Sequence, residues 1–162
     1  MKCPHCGQTK LPAYAKYCYM CGERMKTAVS ITNILCANED HYKIMDKGVT
    51  AWNKWRALHP EITPNLKRKN LSGRDLKKYN FSHAILCWAN FENSNCSHCD
   101  FRGANLHDAD FTKANVTKAD FTDANLEDTK FQGAMTTGVK QDHAHITRCT
   151  TLSGSTKKVD KI

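Results

Sequence analysis

Read in steps of five from Pro64, the chain spells PNLKR, KNLSG, RDLKK, YNFSH, AILCW, ANFEN, SNCSH, CDFRG, ANLHD, ADFTK, ANVTK, ADFTD, ANLED and TKFQG without a gap. The third position of every unit is Leu, Phe, Cys or Val. The second is mostly Asn or Asp, and from Ala84 onward the first is mostly a small residue. A period of five matches neither the 3.6-residue helix nor the two-residue strand, so each unit must be a short extended piece followed by a turn. If four units close one square coil, side chains twenty residues apart should stack. The columns then read Leu66, Leu86, Leu106, Leu126; Leu71, Phe91, Phe111, Phe131; Leu76, Cys96, Val116; and Phe81, Phe101, Phe121. A column of Leu beside a column of Phe is what a twenty-residue coil requires. Fourteen units give about three and a half coils, roughly 17 Å tall at about 4.8 Å per coil. The alanines at positions 84, 89, 104, 109, 114, 119 and 124 would fill tight corners, where a larger side chain would overpack the turn.

Over residues 64–135 this pattern resembles the pentapeptide-repeat family, with its Ala-Asn/Asp-Leu-x-x unit. The resemblance implies a mainly β fold, a right-handed quadrilateral β-helix. The segment GVTAWNKWRALHPEITPNL resembles the leader that precedes the repeat in bacterial members. From His41 to Leu58, Ile44, Met45, Gly48, Ala51, Trp52 and Trp55 recur at helical steps, behind Asn38, Glu39 and Asp40 as capping and first-turn residues. Residues 41–63 are therefore expected to be an amphipathic capping helix and lead-in that covers the open end of the coil. After Met135 the register breaks into a stretch rich in Thr, Ser, Lys and Gly, and residues 136–162 are expected to be a polar, disordered tail.

Ahead of the repeat stand two knuckles, Cys3-Pro4-His5-Cys6-Gly7 and Cys18-Tyr19-Met20-Cys21-Gly22. A Cys-x-x-Cys turn presents two thiolates from one tight loop, and two such turns complete a tetrahedral, closed zinc site. A redox pair would want a βαβ scaffold, which has no counterpart here. Residues 1–26 resemble a short zinc ribbon, with one structural Zn²⁺ on Cys3, Cys6, Cys18 and Cys21. Metal binding would supply the folding free energy that so short a segment cannot draw from a core. Residues 27–40 read as a linker. Nine cysteines with no export signal and no transmembrane run fit a reducing compartment, the cytoplasm, and no membrane partner.

Three groups tempt a catalytic reading. Cys96-Ser97-His98-Cys99 mimics a third knuckle, yet Cys96 falls on a central and Cys99 on a corner position, where burial as small apolar residues is expected. Cys87, His107 and Glu127 share an outer column, but a flat β-helical face offers no pocket. His143 and His145 fall in the tail and are expected to be solvated. No phosphate loop, serine elbow or paired-carboxylate site is present, so no catalytic residue is expected.

The net charge of +8 is unevenly spread. Lys67, Arg68, Lys69, Arg74, Lys77 and Lys78 make a basic belt opposed by Asp75 alone, whereas residues 84–135 carry a net −4. The expected role is a non-catalytic scaffold that contacts another protein. Two alternatives remain open: contact with nucleic acid through the ribbon and belt, or, by the family resemblance, mimicry of duplex DNA toward a type II topoisomerase.

Overall fold

The computed structural model describes residues 37–149. The four knuckle cysteines, the linker to residue 36 and residues 150–162 lie outside the described residues. Thirteen parallel β-bridges, each joining residues twenty apart, run from Asn65↔Ile85 to Asn125↔His145. Every unit contributes one bridge residue and one turn. Each coil is hydrogen-bonded to the next by pairs such as Phe111 N–H to Lys130 O (2.7 Å) and Lys130 N–H to Ala109 O (2.9 Å). The result is a four-sided coil with the expected columns inside it. Leu66, Leu86, Leu106 and Leu126 are all fully buried, as are Phe81, Phe91, Phe101, Phe111 and Phe121.

The two Phe columns face each other across the axis. Within a column the rings stack: Phe91 on Phe111 at 4.5 Å and 2°, Phe101 on Phe121 at 4.9 Å and 4°. Between columns they meet edge to face, as Phe101 on Phe111 at 5.6 Å and 87°. Both geometries suit the ring quadrupole, and together they fill the axis without a gap between coils.

The turns explain the second position of the repeat. Its Asn or Asp side chain accepts the backbone N–H two residues on, as from Asn90 to Glu92 (2.8 Å), Asn115 to Thr117 (3.0 Å) and Asp120 to Thr122 (3.0 Å). The chain then reverses through a fifth residue in the left-handed region, with φ between 53° and 72° from Arg68 through Arg148. Non-glycine residues enter that region at a cost of about 1–2 kcal/mol each. The local side-chain bond and the coil-to-coil ladder offset it.

Two expectations need correction. The helix expected as one piece is two, α1 (Glu39–Asp46) and α2 (Val49–Leu58), because Gly48 adopts φ 99° and ψ 171° between them. Only glycine enters that conformation readily, so the apolar stripe continues while the backbone turns. The coil also does not stop at 135. Bridges Asn115↔Met135, Asp120↔Lys140 and Asn125↔His145 carry the same turns into the segment expected to be disordered. There the central positions become Thr136, Gln141 and Ile146, but the corners remain Ala134, Val139, Ala144 and Cys149, which pack against the core. Small corners and ladder bonds suffice to propagate the coil where the central column turns polar.

The first coil would expose an unpaired row of backbone groups, and side chains of the helical segment meet it. Asn38 N–H donates to Asn65 O (2.9 Å), and His41 Nδ1 accepts from Asn65 N–H (3.0 Å). Asn53 pairs with Asn80 N–H and Lys78 O, Trp52 Nε1 donates to Asn80 O (2.7 Å), and Arg56 reaches Ile62 O and Ser82 O. Trp52 itself is fully buried and lies 5.8 Å from Phe81. Among the described residues no helix is long and apolar enough to cross a membrane.

Candidate interaction face

Most units turn their second, fourth and fifth side chains outward, Cys87 and Ser97 at fourth positions being buried, so each side of the coil carries three columns. On most sides these are Asn, Asp, Thr, Ser and Lys. The unit at 84–88 departs from that rule. Ile85 stands where the described units on either side have Asn, so the turn at Ala84-Ile85-Leu86-Cys87-Trp88 lacks the side-chain acceptor that pins its neighbours. Trp88 sits in the left-handed region at φ 58° and is 42% exposed. Every fifth residue shares that conformation, and what sets Trp88 apart is the exposed aromatic ring it carries there.

The neighbours of Trp88 are polar on both sides. Lys67 Nζ lies 4.9 Å and the Arg68 guanidinium 5.3 Å from its ring centroid, both in cation–π contact. His107 meets the ring edge-on at 5.6 Å, and beyond it lie Asp108, Glu127 and Asp128. Arg148 bonds both Glu127 (3.1 Å) and Asp128 (2.8 Å). A tryptophan ringed by Arg, Lys and carboxylates has the make-up of a protein-contact hot spot. Only the composition of that single unit, AILCW, marks it in the sequence.

The column of Cys87, His107 and Glu127 forms, but not as a reactive group. The Cys87 thiol is directed at Asn105 O (3.8 Å) rather than at His107. Burial pushes its pKa up, with Lys67 opposing, so it stays protonated. His107 Nδ1 stands 3.8 Å from Glu127 Oε2, outside hydrogen-bond reach. Cys96 and Cys99 are buried, as expected. Ser94 Oγ and Cys96 Sγ lie 3.2 Å apart, Cys99 donates to Leu76 O (2.9 Å), and burial raises the Cys99 thiol well above its ordinary value. His145 lies on a bridge to Asn125, while His143 occupies the fifth position of the preceding unit, on the adjacent side. Among the described residues no group of three or more His, Cys, Asp or Glu side chains could hold a metal ion.

The basic belt is partly used internally. Lys69 pairs with Glu39 (2.6 Å) and Arg74 with Asp46 (2.7 Å), and both lie over the Tyr42 ring. These two occupy corner positions that are small in later coils, and in the first coil they reach the helices instead. Tyr79, also a corner residue, donates to Met45 O (3.1 Å). The acidic block is likewise interrupted by partners: Asp100 with Arg102, Asp110 with Lys130, and Glu127 and Asp128 with Arg148.

Residues 70–135 match the family model for pentapeptide repeats, in eight copies. A pentapeptide repeat protein, Rfr23, from the cyanobacterium Cyanothece is similar at 33% identity and a TM-score of 0.54, over 57% of this chain and 63% of that one. A pentapeptide repeat protein of the Arabidopsis thaliana thylakoid lumen is 29% identical over 51% of this chain and 61% of its own, with a TM-score of 0.41. The chain thus spans a little over three fifths of each. No curated protein matches the sequence. The coil is similar to the solenoid of pentapeptide-repeat proteins, which form right-handed β-helices and are generally non-catalytic scaffolds.

Proposed function

We propose that this protein is a non-catalytic scaffold whose Trp88 side docks another protein. The observation that carries this is the exposed Trp88 ring, beside a half-buried Ile85 in a unit without the Asn or Asp acceptor, framed by charges. Pairing of the acidic residues with Arg102, Lys130 and Arg148 favours protein contact over mimicry of a duplex, which needs an unbroken negative surface. Pairing of Lys69 and Arg74 with the helices likewise reduces the belt available to nucleic acid. The helical pair serves as the N-terminal cap. The four thiols of Cys3, Cys6, Cys18 and Cys21 are the donor set of a closed structural zinc site, which would anchor a ribbon over 1–26. Free thiols at Cys87, Cys96, Cys99 and Cys149 suit a reducing compartment, the cytoplasm.

The test is quantitative co-purification from the native host with tagged wild-type, Trp88→Ser and Lys118→Glu proteins. Lys118 lies on a different side of the coil. A protein captured by wild-type and Lys118→Glu but lost with Trp88→Ser is the expected outcome. Identical capture by all three would overturn the assignment of this face.

A further inference from the structure

The two outermost columns on the Trp88 side change character from one end of the coil to the other. The fourth-position column runs Lys67, Cys87, His107, Glu127, Thr147, and the fifth-position column runs Arg68, Trp88, Asp108, Asp128, Arg148. Ladder bonds hold these rows one above another: Arg68 N–H to Cys87 O (2.9 Å), Trp88 N–H to His107 O (2.9 Å) and Asp108 N–H to Glu127 O (3.0 Å). One end therefore presents two cations that form no ion pair among the described residues. The centre is apolar and aromatic. The other end presents Asp108, Glu127 and Asp128 against Arg148, a balance of opposite sign and equal size.

Such a face is complementary to itself upside down. A two-fold axis lying in the plane of contact and running across the coil, between the Cys87–Trp88 and His107–Asp108 rows, reverses the first four rows and leaves each column opposite itself. Lys67 then meets Glu127 of the partner, Arg68 meets Asp128, and Trp88 lies against the His107 and Asp108 row. A parallel arrangement would set Lys67 and Arg68 against themselves. We infer that the Trp88 side docks on the same side of a second copy of this chain, antiparallel, in an isologous dimer. The inference rests on the reading that this face meets a protein and names which protein it is. Cover from a second copy also accounts for what the Ile85–Trp88 unit gives up, namely its side-chain turn bond. Four rows at about 4.8 Å make a small patch, at the low end of specific interfaces. The dimer is accordingly weak, and its charged ends make it salt-sensitive.

Sedimentation velocity of the full chain over a concentration series tests this. Wild-type protein should pass from monomer to dimer as concentration rises, with the midpoint moving to higher concentration in added salt. Arg68→Glu alone, and Asp128→Arg alone, should each weaken association by roughly tenfold or more, since symmetry places each contact twice in the interface. An equimolar mixture of the two variants should restore dimers, because each reversed charge then faces its opposite. Circular dichroism and thermal unfolding of each variant separate loss of docking from loss of fold. Monomeric wild-type protein at every concentration, or a mixture no better than its components, would overturn the inference. If the wild type is monomeric while Trp88→Ser still loses a co-purifying protein, the scaffold reading stands and only self-docking fails. If Trp88→Ser changes neither, both fail.

Discussion

Replacing Phe101 by Leu keeps an apolar side chain of similar reach but removes the ring from the middle of the stacked core. Phe101 lies parallel to Phe81 (5.4 Å, 18°) and Phe121 (4.9 Å, 4°), and edge-on to Phe91 (5.8 Å) and Phe111 (5.6 Å). Aromatic pairs contribute about 0.5–1.5 kcal/mol each beyond area burial. Four such pairs, discounted because leucine recovers part of the dispersion and because neighbours couple, give a loss of about 2–3 kcal/mol. Among the described residues Phe131 meets the ring of Phe111 in parallel at 5.0 Å and that of Phe121 edge-on at 5.7 Å. The same substitution there should cost about half as much, roughly 1–1.5 kcal/mol. Urea unfolding followed by circular dichroism reads both as shifts in midpoint at constant m, within a single cooperative transition. Equal shifts, or a larger one for Phe131→Leu, would refute the idea that nearest-neighbour ring contacts stabilise the axis.

Asn115→Ala removes the acceptor of Thr117 N–H and should lower stability by about 1 kcal/mol, whereas Ile85→Asn supplies a missing acceptor and should hold or raise stability; urea midpoints decide, and a larger loss for Ile85→Asn would contradict the turn argument. His41 is buried with Nδ1 accepting from Asn65 N–H, and burial lowers its pKa from 6.5, with Arg56 reinforcing and Asp40 opposing that shift. The unfolded chain therefore binds the proton more readily than the folded one. This contribution to stability is complete above about pH 6.5 and is lost as pH falls toward the lower native value. Comparing wild-type with His41→Gln at pH about 7.5 and about 5 should show a steeper acid loss in the wild type, and parallel losses would dismiss this role. Elemental analysis should find one zinc per chain, absent from Cys3→Ser and Cys18→Ser proteins; metal-free wild-type protein with an unaltered fold would remove the proposed ribbon site.

Much of the coil was legible because its signal is both periodic and redundant. Leu66, Leu86, Leu106 and Leu126 could be placed in one buried column from spacing alone, since a period of five closing on twenty admits few geometries. Departures that change one position while preserving another carry no such signal. Thr136 and Gln141 disguise the last units, because the eye follows the central residue while Ala134, Val139 and Ala144 keep the corner. Gly48 sits inside an unbroken helical stripe, and only its backbone angles reveal the bend. Lys69 and Arg74 read as surface charge until the first-coil corners are seen to point at Glu39 and Asp46. The Trp88 unit was present in the letters, but its left-handed backbone and its flanking cations become visible only when residues twenty apart are set side by side.

The central claim is that backbone bonds link the second, third and fifth residues of each unit to partners about one coil away. Scalar couplings across hydrogen bonds, read by long-range nuclear magnetic resonance between amide nitrogen and carbonyl carbon, measure those links directly. Couplings from the amides of Leu106, Phe111 and Phe121 to the carbonyls of Asn125, Lys130 and Lys140 are predicted. Partners at any other spacing would contradict the square coil, and with it the column that brings Lys67, Cys87, His107 and Glu127 onto one face.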